Sequence, residues 1–493
     1  MATLPDRIRD YEIWGRLGEG GMSEVWLAKH TVLAFPVILK VLRPAFAANE
    51  AKLEAHRVIE EARLMARITS PLVVRAIDAG VHETTPYLVQ EYIDGIDLAE
   101  LDQRRRASLG IGLPLWFVCH VMRQACMALH AAHQAGVVHR DVKPSNLFGA
   151  PETGVRLGDF GIATGKAATT REITGTLRFM APEHLTVGAT SRGTDVWGAA
   201  ATACDLRYGR PPFDDVAQTL DPGVGPRLPP PRSPEEAYFQ HVVRVMLTKD
   251  PAQRPTDLME PVRQFTDLLH SVRAAAHRTT LVYVDRHTFR IGECTITFAA
   301  GNLADAKTDG IVSSANYKMH MQSGVGEALR KMGGASIEAE AMEGGERALG
   351  TCIATKAGTL TTKHVLHAVS AWNETSCVGR ATQRALLLAD ELGLRSLAFP
   401  ALGTGVARVT METCANAMMT ALRWHLALGG TRLRHVHVVL ADEEKLAIFR
   451  EVAEDSLRAE ERRGATDLGL SVVEGEARGD SLTQVAPDTD DSR

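Results

Sequence analysis

His139-Arg140-Asp141-Val142-Lys143-Pro144-Ser145-Asn146-Leu147 is the stretch of this 493-residue chain that decides its fold. An acid, an amide and two cations stand close together there, interrupted by a proline, after the long apolar helical pattern of 115–134. Each residue type has a use: Asp141 can accept a proton from an incoming hydroxyl, Lys143 can sit on a transferred phosphate, and Asn146 is an uncharged oxygen ligand for magnesium. Downstream, Asp159-Phe160-Gly161 adds an acidic metal ligand on a turn. Ala181-Pro182-Glu183 closes the segment, and Arg254 follows in Asp250-Pro251-Ala252-Gln253-Arg254-Pro255.

Upstream, 87–93 is strand-like and 50–68 carries a helical pattern. Before them, Val37-Ile38-Leu39-Lys40-Val41 puts a lysine inside an apolar strand, where an unpaired charge is costly; Glu61 is the candidate partner. Leu17-Gly18-Glu19-Gly20-Gly21-Met22-Ser23-Glu24-Val25 lies between two strand-like runs, and its glycines let backbone N–H groups approach phosphate oxygens. These are the parts phosphoryl transfer needs, because its catalysis is mostly positioning and charge neutralisation.

Together the motifs resemble a eukaryotic-type protein kinase of the bacterial Ser/Thr class. The resemblance implies a bilobal α+β kinase fold that uses ATP and Mg²⁺ on protein Ser/Thr substrates. It implies roles by position: Lys40 on the α/β-phosphates paired with Glu61, Asp141 as catalytic base, Lys143 on the phosphate, and Asn146 and Asp159 on Mg²⁺. Leu17, Gly18, Gly20, Gly21, Val25, Gln90, Glu91, Ile93 and Leu147 would surround the nucleotide, and Glu183 would pair with Arg254. Thr169, Thr170 and Thr174 are candidate activation-loop phosphosites, with Thr176 expected near Asp141. Ile38 replaces the usual alanine against adenine, and the proline-rich stretch 211–234, expected as irregular loop, replaces a family helix.

From 281 the pattern changes to strands alternating with helices, which implies a mostly parallel α/β sheet. Two glycine loops follow apolar strands: Ser323-Gly324-Val325-Gly326, opening a helix, and Gly403-Thr404-Gly405-Val406. Bare N–H groups at helix starts suit a diphosphate. With Gly301-Asn302-Leu303, 308–316 and 363–369, these runs resemble a macro domain, an α/β/α sandwich that binds ADP-ribose. The resemblance puts Asn302 near adenine, Asn316 near the distal ribose and the two loops around the diphosphate. Gly326 stands where hydrolytic members carry aspartate, which favours a reader over an eraser, while Asn302 stands where binders often carry aspartate and could accept the adenine hydrogen bond only without charge.

Composition fits this reading. The formal charge is −5, 45% of residues are apolar and 23% charged. No run approaches the about 18 apolar residues of a membrane span, and the near-neutral balance argues against bulk nucleic-acid binding. Seven cysteines without a CxxC pair indicate neither disulfides nor zinc, so a cytoplasmic location is expected. The expected domains are a kinase at 8–272, a linker at 273–280, a macro domain at 281–455 and a disordered acidic tail at 456–493. ADP-ribose, free or on modified proteins, would act as sensor or recruiter ligand. A pseudokinase scaffold with a ligand-binding macro domain, and an ADP-ribosyl hydrolase with a regulatory kinase, stay open as alternatives.

Overall fold

The structure, a computed structural model, describes residues 6–463 except 20–22, 43–55, 57, 61, 84, 151–153, 161–176, 276–280, 286, 373–374 and 406–407. The N-terminal half opens with a six-stranded antiparallel sheet in the order Arg7–Ile8, Tyr11–Glu19, Ser23–His30, Pro36–Leu42, Thr85–Glu91, Ala76–His82. Side chains alternate across a strand. In Pro36–Leu42, therefore, Val37, Leu39 and Val41 pack into one core with Tyr11, Ala28, Tyr87 and Val89. Ile38 and Lys40 are turned to the other face, with Lys40 in register between Val25 and Leu88.

The second lobe is built on the helix Leu115–Gln134. It is apolar on nearly every side, with Phe117, Val118, Val121, Met122, Ala125 and Leu129 all buried. A helix of that kind must be covered all round, and the helices Arg192–Tyr208 and Met259–Ala275 cover it. The proline-rich stretch is not wholly irregular. Val216–Leu220 forms a short helix because Asp215 accepts from the Gln218 N–H at 2.8 Å and Lys249 Nζ donates to the carbonyls of Gln218 and Thr219, each at 2.7 Å. Caps at both ends stabilise a turn that periodicity alone does not announce.

The C-terminal half is a three-layer α/β/α sandwich around an eight-stranded sheet. Its order is Leu281–Asp285, Thr288–Ile291, Cys294–Ala300, His435–Leu440, Ser396–Phe399, Gly310–Ala315, His364–Val369, Cys352–Lys356. The run from Cys294–Ala300 to His364–Val369 is parallel, and its inner strands Ser396–Phe399, Gly310–Ala315 and His364–Val369 are buried on both faces, as parallel strands are. Ile311, Val365 and Ala398 pack under the helices Gly324–Gly333 and Ser336–Met342. Val312, Leu366 and Phe399 pack against Val378–Glu391, Met411–Ala427 and Glu443–Arg463 on the opposite side.

Two expected boundaries move. Met259–Ala275 runs beyond 272, and Glu443–Arg463 runs beyond 455 into the stretch expected as disordered tail. The latter helix is anchored by Leu446, Phe449 and Ala453 in the core, and the following Ala-Glu-Glu-Arg-Arg are good helix formers that extend it. Residues 464–493 lie outside the described residues. The two halves also share core: Trp424, Leu428 and Leu387 join the helical-lobe cluster, while Trp14, Leu27, Leu17, Ile38 and Tyr92 join the cluster containing Cys377 and Val378.

Candidate functional site

The catalytic-loop residues are held from behind by a side chain the motifs did not single out. Asp195, 1% exposed, sits in the helix Arg192–Tyr208. Its carboxylate accepts from the backbone N–H groups of His139 and Arg140, each at 2.8 Å, and lies 2.7 Å from His133 Nε2. His139 in turn bonds the Gly158 carbonyl at 2.9 Å, so the loop is tied to the segment carrying Asp159. Burial pushes the His139 imidazole down in pKa, against the pull of Asp195. The sequence did carry a signal for Asp195: an acid at the head of the apolar run Val196-Trp197-Gly198-Ala199-Ala200, once buried with it, needs a partner.

Two residues of this network are strained. Arg140 has φ +71° and Asp159 φ +57°, in the left-handed region where a side chain costs about 1–3 kcal/mol. The surrounding bonds hold them there, and both flank the site.

Five of the expected side chains converge. Lys143 Nζ lies 2.7 Å from Asp141 Oδ2. Asn146 donates from Nδ2 to the Asp141 carbonyl at 2.7 Å and to Asp141 Oδ2 at 3.1 Å. Asp141 Oδ1 is buried and makes no hydrogen bond among the described residues. Across the cleft, Lys40 Nζ donates to Asp159 Oδ1. Burial raises the Asp159 carboxyl, but Lys40, His139 and Lys143 outweigh it and hold its pKa below the usual range, so it is ionised. Asp159 and Asn146 together offer hard oxygen donors of the kind magnesium prefers; with Asn146 Nδ2 spent on Asp141, its Oδ1 is the atom left for a cation.

Around the nucleotide position, Leu17, Val25 and Ile93 are half-buried and Leu147 is fully buried. Gln90 is buried, its Nε2 3.7 Å from Met65 Sδ. Glu91 accepts from the Arg75 N–H at 2.9 Å and pairs with Arg156 at 3.3 Å. Gly18 lies in the strand Tyr11–Glu19. Gly20, Gly21, Glu61, Thr169, Thr170, Thr174 and Thr176 lie outside the described residues. The expected Glu183–Arg254 pair is present as a fork of 2.7 and 2.8 Å, and Arg254 also donates to the Thr248, Gly193 and Lys249 carbonyls.

In the C-terminal half the two glycine loops lie at the carboxyl ends of Gly310–Ala315 and Ser396–Phe399, which are neighbours in the sheet. The Gly403 N–H donates to Ser314 Oγ at 3.2 Å, and that hydroxyl is 2.9 Å from Ser370 Oγ. Gly403 has φ +75°, a conformation that favours glycine. Thr404 Oγ1 bonds the Ala401 carbonyl at 3.0 Å, Gly405 leaves open space, and Val406 lies outside the described residues. Ser323 and Gly324 start the helix Gly324–Gly333, with Val325 half-buried. At Gly326 a Cβ would stand 3.2 Å from Met321 Cα, so a side chain there has little room.

Asn316 organises its own loop, accepting from the N–H groups of Lys318 and His320 at 3.0 and 3.2 Å. Asn302 is exposed, and its amide oxygen caps the Leu303–Asp305 turn by accepting from the Ala304 N–H at 3.2 Å.

Residues 11–270 match the family description "Protein kinase domain", and residues 312–418 match "Macro domain". The chain is 30% identical over 325 residues to the serine/threonine-protein kinase PknB of Mycobacterium leprae, covering 63% of this chain and 50% of that protein. It is 33% identical over 267 residues to the serine/threonine-protein kinase drp72 of Corynebacterium efficiens, covering 52% of this chain and 50% of that protein. The chain thus spans about half the length of the curated relatives it matches. The crystal structure of the Mycobacterium tuberculosis PknI kinase domain superposes with a TM-score of 0.44 at 28% identity, covering 54% of this chain and 100% of that one. Among the described residues no helix is long and apolar enough to cross a membrane. The chain belongs to the protein kinase family and carries a macro domain C-terminal to its kinase domain.

Proposed function

We propose that the chain is a Ser/Thr protein kinase whose macro domain binds ADP-ribose, free or on modified proteins. One observation carries the kinase reading. Lys143 and Asn146 occupy one oxygen of Asp141, while Oδ1 is buried and has no hydrogen-bond partner among the described residues. An oriented, desolvated carboxylate oxygen is the acceptor a substrate hydroxyl needs. Asp141 would take the hydroxyl proton as the oxygen attacks the γ-phosphorus and ADP leaves. Lys143 would steady the phosphate, and Lys40 would move from Asp159 to the α/β-phosphates. Asn146 and Asp159 would hold Mg²⁺, which when bound neutralises charge on the transferring group. The mycobacterial and corynebacterial relatives, both serine/threonine-protein kinases, support the choice of hydroxyl substrate.

The ADP-ribose reading rests on the two glycine loops at the ends of neighbouring strands, the second of them tied through the Gly403 N–H to the Ser314 and Ser370 hydroxyls. The crowding at Gly326, which leaves little space for a catalytic aspartate, supports binding over hydrolysis. We assign the two functions to domains at about 8–275 and 281–463, wider than the boundaries expected from sequence.

The test is Asp141→Asn. The amide keeps the shape of the side chain but cannot take the proton, so autophosphorylation with Mg·ATP is expected to fall at least about 10²-fold with the circular dichroism spectrum unchanged. Transfer at the wild-type rate would refute the assignment.

A further inference from the structure

One turn of helix touches both the segment after Glu91–Ile93 and the second glycine loop. Asp94 follows the hinge residues Glu91–Ile93 directly, and its carboxylate points into the C-terminal domain. It accepts from the N–H of Gly379 at 2.8 Å and of Arg380 at 2.9 Å, the first turn of the helix Val378–Glu391. A helix start presents unpaired N–H groups and partial positive charge, which a carboxylate satisfies. The local residue Cys377 makes no side-chain cap, so the kinase hinge supplies it from 285 positions away. The fit is close: a Cβ on Gly379 would stand 3.0 Å from Asp94 Oδ2 and 3.4 Å from the Asp94 carbonyl oxygen.

The contact continues along both elements. Arg380 Nε donates to the Gly95 carbonyl at 2.6 Å, and its guanidinium lies 5.8 Å from the Tyr92 ring centre. Arg384 forks onto Glu100 at 3.0 and 2.6 Å, and Arg104 pairs with Glu391 at 2.6 Å. The hinge, the helix Leu98–Leu109 that follows it and Val378–Glu391 are thereby bonded over their common length.

On its other side the same turn supports the second glycine loop. Val378 Cγ2 lies 3.4 Å from the place a Gly403 Cβ would take. The Cys377 N–H donates to the Ser370 carbonyl at 3.0 Å, and Ser370 belongs to the hydroxyl pair that receives the Gly403 N–H. A close-packed contact of this kind transmits a displacement rather than absorbing it.

We propose that the turn Val378–Arg380 couples the two sites: a nucleoside diphosphate sugar on the Gly403 loop changes the affinity of the kinase cleft for ATP, and ATP changes the affinity of the loop for that ligand. The proposal rests on the ADP-ribose reading above. Linkage makes the two effects equal.

Full-length protein is titrated calorimetrically with ADP-ribose, with and without saturating Mg²⁺ and a non-hydrolysable ATP analogue, and then in the reverse order. The expected result is the same factor in both directions, about fivefold or more, reaching a plateau as the second ligand saturates. In Gly379→Ala the factor is expected within about twofold of one, with each ligand's separate affinity retained. Should that variant not fold, Asp94→Asn, which removes the cap's charge, is expected to shrink the factor.

ADP-ribose binding with a factor of one overturns the coupling alone. A factor that grows without limit means competition for one site and overturns it too, as does full coupling in a folded Gly379→Ala or Asp94→Asn protein. No ADP-ribose heat at all overturns the ligand reading and the coupling with it.

Discussion

At the scale of single residues, the candidate site is held from behind by one side chain outside its motifs. Asp195 accepts the N–H groups of His139 and Arg140 and so fixes where Asp141 points. Misplacing a reacting group by about 1 Å costs on the order of 10²-fold in rate. Asp195→Asn can satisfy one N–H with its oxygen but sets its NH₂ against the other. A fall in kcat of about 10²-fold with the KM for ATP little changed is therefore expected. A matching rise in KM with kcat intact would mean that Asp195 shapes the nucleotide pocket instead. Asp141, Lys143, Asn146 and Asp159, the positions proposed for catalysis, stand out in the sequence because the chemistry of phosphoryl transfer dictates residue type and spacing. Asp195 stands out less, because a scaffold acid is recognised only by what it holds.

At the scale of elements, period and apolar content gave the helix Leu115–Gln134 and the alternating α/β order of the C-terminal half. They did not give the short helix Val216–Leu220, whose caps include Lys249 from a later segment. Nor did they say what covers Met411–Ala427. That helix is buried nearly all round, and Trp424 leaves its own domain to meet Phe117 edge-on at 5.4 Å between ring centres. A Cβ on Gly149 would stand only 3.0 Å from the Trp424 ring, so the kinase domain is shaped to receive it. Trp424→Ala is expected to cost about 3–5 kcal/mol, the range for deleting a large buried aromatic, read by denaturant unfolding. A loss under about 1 kcal/mol would show that the contact is dispensable.

At the scale of the whole molecule, two domains usually unfold separately. Here apolar clusters run through both, and the charged contacts Asp94–Gly379/Arg380 and Arg384–Glu100 lie between them. Calorimetry of the full chain is expected to show one cooperative transition, with calorimetric and van't Hoff enthalpies in agreement; two resolved peaks would contradict it. The signals for this union were absent from the sequence. Asp94, Gly379 and Arg380 are ordinary residues in a chain rich in all three types, and nothing local marks an acid as the cap of a distant helix.

By itself the sequence determined the two domain types and their order and singled out the proposed catalytic positions, since phosphoryl transfer and diphosphate binding demand particular side chains and bare backbone at set spacings. Only the tertiary structure decided that the macro domain stands on the kinase hinge. Long-range contacts depend on which surfaces meet, and burial, caps and close approaches such as Gly379 against Asp94 acquire meaning only once the chain has folded.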